Sequence, residues 1–438
     1  MESDSALLHE AESRSVTAED YDPLAPEVQA DPFPFYRLFQ SGCPVHHHTL
    51  TEEQQQRVSP GSNPLIAAPT SEVFMVFGHD EIRTVLTDYE TFSSFRGGVG
   101  LERTAAPNDH GMLIYADPPH HGPQRAIVAA ALSPRLVKHM ETRIADYADE
   151  LIDGFLADGR TDIVQRYCNP LPGLMFCELL GLPRDQQPTF KKWADATVDA
   201  FGADAETQQR AAVAMLEMMQ YFFGVITERR ERQAKGEPLP EDLITGLMVT
   251  AVDGRCFNDV EIVLAVQLLI AGGNDTTSGA LGSGFNQLCL HPDQQRLLRE
   301  RPELLPGAVE EILRFDAPAH CLFRTTTRAT EIAGVPIPEG AKVGVPYGAA
   351  NRDPKAFDRP DQFDITRSAS ELRRHLSFSL GTHYCVGSAL GRAQVRIGLE
   401  RLLARMPEFR LDPDRPAVRH DALIARRFGH LYLTWENP

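Results

Sequence analysis

The feature that most restricts the fold is a long helical pattern that begins at "FNDVEIVLAV", just after Cys256. Asn258 and Glu261 have the spacing of a capping box, in which each side chain binds the other residue's backbone amide. A helix from Asn258 to Leu290 would extend ~50 Å at a rise of 1.5 Å per residue. Because that length is enough to cross a large domain, the remaining elements must pack around this segment.

The middle of this segment, "AGGNDTTSG" from Ala271, consists of poor helix formers. Gly272 and Gly273 should each cost about 1 kcal/mol relative to alanine in a helix interior. Asp275 and Thr276 carry side chains that compete for backbone hydrogen bonds. Two explanations stay open: the helix breaks into two shorter ones here, or it continues and glycine lets a ligand lie against its backbone.

The rest of the pattern predicts one mainly α domain with a smaller β portion. From Leu132 to about Ile312, apolar residues recur at the spacing of buried helix faces. After Arg324 the chain becomes β-rich and is punctuated by turn-forming glycines. There is no internal repeat and no evident linker. We therefore predict a disordered acidic N-terminus over residues 1–20 and a single domain over residues 21–438.

Charge and cysteine content exclude several classes of protein. A net charge of −18 argues against binding to nucleic acid, which requires a positive surface. The longest apolar run, from Ile262, is shorter than the ~20 residues that span a bilayer. The N-terminus has no basic and apolar leader. Seven scattered cysteines without a CxxC pair indicate a reducing compartment. We expect a cytoplasmic protein that binds neither nucleic acid nor a membrane.

Cys385 stands in "FSLGTHYCVG", just before a second helical pattern. Free amides at a helix N-terminus favour a thiolate over a thiol. A thiolate here could be a nucleophile, a zinc ligand or an axial ligand to haem iron. His383 is the one nearby candidate for a base or a second zinc ligand. A buried structural cysteine would not explain the glycines on both sides.

These residues resemble the haem-binding signature FxxGxxxCxG of the cytochrome P-450 family, matched at Phe378, Gly381, Cys385 and Gly387. "EEILR" resembles the family's ExxR pair, and "PDQFDITR" the segment that supplies its third member. "AGGNDTT" resembles the family's oxygen-activating segment, and "DPPHHGPQR" the start of a helix that flanks the haem. The motifs occur in the family's order from about residue 20 to the C-terminus, which makes the set specific.

The resemblance implies the cytochrome P-450 fold, with haem b between the long central helix and the helix after Cys385. Cys385 would be the proximal thiolate ligand of the iron. Asp275 and Thr276 would deliver protons to oxygen. The haem propionates would be bound by His121, Arg125, Arg324 and His383. A structural network of buried ion pairs would join Glu311, Arg314 and Arg367.

The implied reaction is hydroxylation or epoxidation of a hydrophobic small molecule with O2. No flavin or iron–sulfur motif occurs in the sequence, so electrons would come from a separate ferredoxin and its NAD(P)H-dependent reductase. We expect a monomer. Besides the segment 92–113, the predicted walls of the substrate pocket are Leu268, Ala271, Gly272, His320, Cys321 and Leu322.

Three alternative functions stay open: a peroxide-using enzyme, a haem-thiolate isomerase or dehydratase, and a non-catalytic haem ligand sensor. The Asp275–Thr276 pair argues against the first two, which have less need to deliver protons. We also predict a locally basic face for an acidic ferredoxin, despite the net charge. Its candidate residues are Arg125, Arg135, Lys138, Arg373, Arg374, Arg392 and Arg396.

Overall fold

The computed structural model describes residues 16–58, 70–95, 97–101, 111–199, 205–420 and 424–436. Most of these residues are helical, and a smaller part forms sheets. The first helices are Pro26–Ala30 (α1), Phe33–Ser41 (α2), Glu52–Val58 (α3), His79–Thr87 (α4), His121–Ala131 (α5), Pro134–Asp153 (α6), Pro170–Leu179 (α7) and Gln187–Asp199 (α8). The later helices are Ala205–Ala234 (α9), Leu243–Val249 (α10), Asp259–Leu290 (α11), Pro292–Glu300 (α12), Leu305–Phe315 (α13), Tyr347–Asn351 (α14), Ala369–Leu372 (α15) and Ser388–Arg405 (α16).

The strands form one larger sheet and three small ones. They are Val45–Thr49 (β1), Glu72–Val76 (β2), Phe92–Ser93 (β3), Arg160–Asp162 (β4), Cys321–Thr326 (β5), Thr330–Ile332 (β6), Val335–Ile337 (β7), Lys342–Pro346 (β8), Phe409–Leu411 (β9), Val418–His420 (β10), Arg427–His430 (β11) and Tyr432–Trp435 (β12). The larger sheet has the order β1-β2-β8-β5-β3, with β2 and β8 parallel and its other pairs antiparallel. The predicted β portion therefore starts earlier than expected, at Cys321, and it recruits three N-terminal strands.

Helix α11 is the central element, and it is a single helix. Asn258 caps it, and the capping box with Glu261 is present, with amide-to-side-chain distances of 2.9 and 3.0 Å. Its 32 residues continue through the glycine segment without a break. The explanation by two shorter helices is therefore wrong. Burial of the helix in the largest apolar cluster compensates for the poor formers in its middle.

The central helix packs closely against α16 in its C-terminal half. A β-carbon on Gly398 would lie 3.0 Å from Leu281, and one on Gly284 would lie 3.5 Å from Leu399. Glycine on each helix therefore lets the other approach. This contact fixes the position of the central helix relative to the helix that follows Cys385.

The N-terminus is more ordered than predicted over its last residues. Ala18–Asp20 forms a 3₁₀ turn, and the Thr17 backbone amide donates to the Asp20 carboxylate at 2.9 Å. The following Tyr21 is buried among aromatic rings, and that packing stabilises the turn. Residues 1–15, for which disorder was predicted, lie outside the described residues. In the part of the chain that is described, no helix is long and apolar enough to cross a membrane.

Candidate functional site

The loop that carries Cys385 is held by its own backbone. The Cys385 amide donates to the Phe378 carbonyl at 2.8 Å, and a 3₁₀ turn over Gly381–His383 lies between them. Gly381 has φ = +67°, and a β-carbon there would lie 3.2 Å from the Leu86 carbonyl oxygen. Only glycine meets both demands, so the first half of the motif is a requirement of this turn. Helix α16 begins three residues after the cysteine, at Ser388.

The Cys385 sulfur lies in a recess that solvent reaches. The residue is exposed, yet it is surrounded by protein. Burial raises the pKa of its thiol, and the Gly387 amide, Arg125 and Arg392 lower that pKa by a smaller amount. The Gly387 amide lowers the pKa, as predicted for amides at the start of a helix, but burial has the larger effect and the net pKa is raised. A bound haem iron would favour the thiolate, because a metal ion deprotonates a coordinating thiol.

Two histidines and two arginines lie together near this recess. The rings of His121 and His383 are 4.5 Å apart between centroids. Burial, with Arg125 as the next cause, lowers the pKa of His121 to about 4. Burial, followed by Arg324 and His121, lowers the pKa of His383 to about 2. At neutral pH both rings are uncharged, and the positive charge of the cluster resides on Arg125 and Arg324.

This donor set fits the two carboxylates of a haem. The Arg324 side chain is buried, and its described hydrogen bonds go to the carbonyls of Gly98 and Phe323. The buried Nε2 of His383 has no hydrogen-bond partner among the described residues. Charged donors without a carboxylate partner are the groups that bind anions most strongly. The four residues predicted to bind propionates are therefore brought together with the chemistry that this role requires.

One face of the central helix is partly exposed to solvent where its residues are the poorest helix formers. Leu268, Gly272 and Thr276 follow one another at intervals of four, so they share a face. They are partly or fully exposed although the segment lies in the middle of the helix, and Ala271 beside them is also partly exposed. The Thr276 hydroxyl donates to the Gly272 carbonyl at 2.6 Å.

The two glycines of this segment, Gly272 and Gly273, lie in different structural surroundings. A β-carbon at Gly272 would have no neighbour within 4 Å, whereas one at Gly273 would lie 2.5 Å from the Phe176 ring of α7. Gly273 is therefore required for helix packing. The sequence interpretation assigned both glycines to the approach of a ligand, and only Gly272 has the open surroundings which that role needs.

Asp275 points away from that open face into a charged contact. Its side chain is 1% exposed, and its Oδ2 lies 3.3 Å from Nε of Arg427 on β11. Its Oδ1 accepts a hydrogen bond of 2.9 Å from Asn274. The Asp275 carboxylate therefore has almost no direct contact with solvent. Sequence analysis missed Arg427, because no local pattern links a C-terminal strand to a residue 152 positions earlier.

The predicted ion-pair network is present and fully buried. Arg314 donates to both carboxylate oxygens of Glu311, at 2.6 and 2.8 Å, and both side chains are 0% exposed. Arg367 Nε contacts Glu311 at 3.2 Å. Arg367 also donates to the Glu371 carboxylate at 2.6 Å, and both arginines donate to the Gln362 carbonyl. The network thus ties α13 to the long connection that leads to Cys385.

The predicted wall residues at the start of β5 do not share one face of the sheet. Side chains alternate along a strand, and Leu322 shares a face with Arg324. Cys321 is buried in the opposite cluster with Tyr36, and His320 Nε2 lies 3.5 Å from the Tyr36 hydroxyl. His320 and Cys321 are therefore misassigned as walls beside Arg324. Of the predicted wall segment 92–113, residues 96 and 102–110 lie outside the described residues.

The face predicted to be basic is partly neutralised by acids. Arg392 makes two contacts with Glu310, at 2.6 and 3.0 Å, and lies over the Phe378 ring. Arg396 pairs with Glu141 and Glu400, and Arg135 pairs with Glu241. Lys138, Arg373 and Arg374 are exposed. The excess of positive charge is therefore smaller than the count of basic residues suggested.

Comparison with known proteins agrees with this arrangement. The family model "Cytochrome P450" matches residues 184–424. The chain is 34% identical over 408 residues to Cytochrome P450 130 of Mycobacterium tuberculosis, which covers 92% of this chain and 94% of that protein. It is 35% identical over 362 residues to the erythromycin C-12 hydroxylase of Saccharopolyspora erythraea, with 82% and 88% covered.

A solved structure with the same fold is that of CYP109E1 from Bacillus megaterium in complex with testosterone. It superposes with a TM-score of 0.77 at 28% identity and covers 92% of this chain and 99% of that chain. The family model spans more than half of the sequence, and the relatives span nearly all of it. This chain belongs to the cytochrome P450 family of haem b-dependent monooxygenases.

Proposed function

We propose that this monooxygenase hydroxylates or epoxidises a hydrophobic small molecule with electrons from a separate ferredoxin and its NAD(P)H-dependent reductase. In the hydroxylation, substrate, O2, two electrons and two protons give the alcohol and water. The observation that carries the proposal is the Asp275–Thr276 pair. The buried acid and the alcohol are neighbours on an unbroken helix, and the alcohol is beside the open surface at Gly272.

Cys385 is proposed to hold the haem iron, and His121, Arg125, Arg324 and His383 its propionates. When bound, the haem supplies the activation of O2. The chain's own contribution is to place protons. Thr276 holds its hydroxyl beside the open face of the helix, and Asp275 supplies a carboxylate one residue away. Positioned proton transfer of this kind contributes about 10²–10⁴-fold to rate.

The substrate class follows from the residues around the open face. Leu268, Ala271 and Gly272 are small or apolar, and Leu322 shares the Arg324 face of β5. Such a surface favours a hydrophobic molecule with few polar groups, such as a steroid, terpenoid, fatty acid or aromatic compound. The names of the relatives support a large organic substrate, since one relative is an erythromycin C-12 hydroxylase and one structural neighbour was solved in complex with testosterone.

A ferredoxin is the proposed electron donor because no flavin or iron–sulfur motif occurs in the sequence. Exposed Lys138, Arg373 and Arg374 are the basic residues most available to an acidic partner. Free cysteines fit a reducing compartment, and we propose the cytoplasm.

The test begins with the haem-loaded protein reduced under carbon monoxide, where a thiolate ligand gives a strongly red-shifted haem band. Testosterone and a long-chain fatty acid are then titrated, and the haem spectrum is followed for displacement of water. Turnover is measured with NADH, a bacterial ferredoxin and its reductase. We expect a product that has gained one oxygen atom. Conversion with hydrogen peroxide alone, and none with the ferredoxin system, would overturn the proposal.

A further inference from the structure

Arg427 connects the buried acid of the central helix to the surface of the protein. Its guanidinium is 4% exposed and contacts two carboxylates that belong to different helices. Nε lies 3.3 Å from Asp275 Oδ2, and Nη2 donates to Asp195 Oδ1 of α8 at 3.4 Å. A buried cation between two acids balances their charge only while all three keep this geometry.

A third glycine of the central helix, Gly279, allows Arg427 to come close to Asp275. A β-carbon at Gly279, one turn after Asp275, would lie 2.7 Å from the Arg426 carbonyl oxygen and 3.4 Å from Cβ of Arg427. The backbone of β11 therefore rests directly on the central helix at this point. Because Gly279 has no side chain, the strand comes close enough for Arg427 to reach back over Asp275.

Asp195, the second carboxylate that Arg427 contacts, reaches the solvent. Asp195 is 30% exposed, and Lys191, one helical turn earlier on α8, donates to it at 2.6 and 2.7 Å. A continuous line of alternating charges thus leads from the surface through Asp195 and Arg427 to Asp275. Asp275 Oδ2 has no aligned hydrogen bond among the described residues, so it keeps the capacity to accept a proton.

We infer that Arg427 is a positioning residue for proton delivery, which holds the Asp275 carboxylate in place and joins it through Asp195 to the surface. The inference rests on the proposed role of Asp275. Without Arg427, the buried Asp275 carboxylate would lose the cation beside it and would turn toward Asn274. Helix α8 would lose its ion pair with β11 at the same time.

The experiment compares Arg427→Gln, Arg427→Lys and Asp195→Asn in the haem-loaded enzyme with testosterone, NADH, a bacterial ferredoxin and its reductase. We expect Arg427→Gln to lower product per NADH and to slow turnover about tenfold or more, within the range of a positioned proton transfer. Its solvent deuterium isotope effect should rise. Arg427→Lys, which keeps the charge, should restore part of the loss, and Asp195→Asn should have a smaller effect in the same direction.

A second readout does not depend on activity. Hydrogen exchange followed by mass spectrometry should show faster exchange over residues 187–197 and 272–280 in Arg427→Gln, because both segments lose a tie. In Asp195→Asn only residues 187–197 should change. The matched control is Arg229→Gln, which breaks another buried arginine–aspartate pair, Arg229–Asp242, with exposures of 5% and 4%. That control should lose stability without a change in isotope effect.

The outcomes separate the two proposals. If Asp275→Asn leaves turnover and coupling unchanged, the proton-relay function itself is wrong. If Asp275→Asn slows turnover but Arg427→Gln has the isotope effect and coupling of the wild type, only the inference on Arg427 is overturned. The inference on Arg427 is also overturned if Arg427→Lys behaves like Arg427→Gln. It is overturned as well if Arg229→Gln changes the isotope effect as much as Arg427→Gln does.

Discussion

The loop that carries Cys385 is shaped by residues close to it in the chain, whereas the residues around Asp275 come from three distant elements. On the cysteine side, Phe378 and Gly381 fix the loop through backbone contacts and a positive φ angle. On the Asp275 side, charged side chains from α8 and β11 meet the central helix. A site of the first kind is visible as a sequence motif, and one of the second kind is visible only when the chain has folded.

The largest effect is expected at the cysteine. Cys385→Ser removes the sulfur ligand but leaves the backbone contacts of the loop, so the protein should fold and lose the thiolate spectrum. Reduced protein under carbon monoxide should show no strongly red-shifted haem band. The control is Cys289→Ser, which changes a cysteine outside the loop. A red-shifted band that survives in Cys385→Ser would show that another residue binds the iron.

The next effect concerns the network that supports the cysteine side. Glu311→Gln removes the carboxylate that Arg314 and Arg367 share, although Arg367 keeps its contact with Glu371 at 2.6 Å, and breaking a buried pair typically costs about 3–5 kcal/mol. Thermal unfolding should therefore occur at a much lower temperature, and the yield of haem-loaded protein should fall. Glu303→Gln, at the exposed pair with Arg301, is the matched control and should change stability little. Equal stability of the two variants would contradict a structural role for the network.

Substitution of Thr276 on the central helix should have a smaller effect on folding and a specific effect on the reaction. Thr276→Ala loses the hydrogen bond to the Gly272 carbonyl, which contributes about 1 kcal/mol. Haem loading and testosterone binding should stay nearly intact, while more NADH is spent on hydrogen peroxide. Product and peroxide formed per NADH are the measurements. Thr277→Ala, a buried neighbour on another face of the helix, is the control, and unchanged coupling in Thr276→Ala would remove its assigned role.

The smallest expected effects distinguish two adjacent glycines. Gly273→Ala forces a β-carbon into the Phe176 ring and should destabilise the protein by about 1–3 kcal/mol. Gly272→Ala meets no neighbour within 4 Å and should raise helix stability by up to ~1 kcal/mol while it weakens ligand binding. Thermal unfolding and the haem spectral titration measure the two properties. If Gly272→Ala and Gly273→Ala changed stability and ligand binding alike, the different roles assigned to the two glycines would be contradicted.

The sequence could predict the central helix and its capping box because both depend on spacing along the chain, and the resemblance to the family supplied the ion-pair network. Glu311 and Arg314 are three residues apart, and one turn of helix brings them together. His320 and Cys321 show the limit of such reasoning. Their position next to Arg324 suggested a shared site, but strand alternation and the packing of Tyr36 turn Cys321 and His320 toward another cluster.

Motifs in the sequence were enough to indicate the family and, by resemblance, the residues that would hold a haem. Folding was needed to show which glycine of the central helix faces open space, that burial raises the pKa of the Cys385 thiol, and that Arg427 is a partner of Asp275. Local conformation is set by neighbours in the chain, but desolvation and charge pairing are set by neighbours in space, and folding joins positions as distant as Asp195, Asp275 and Arg427.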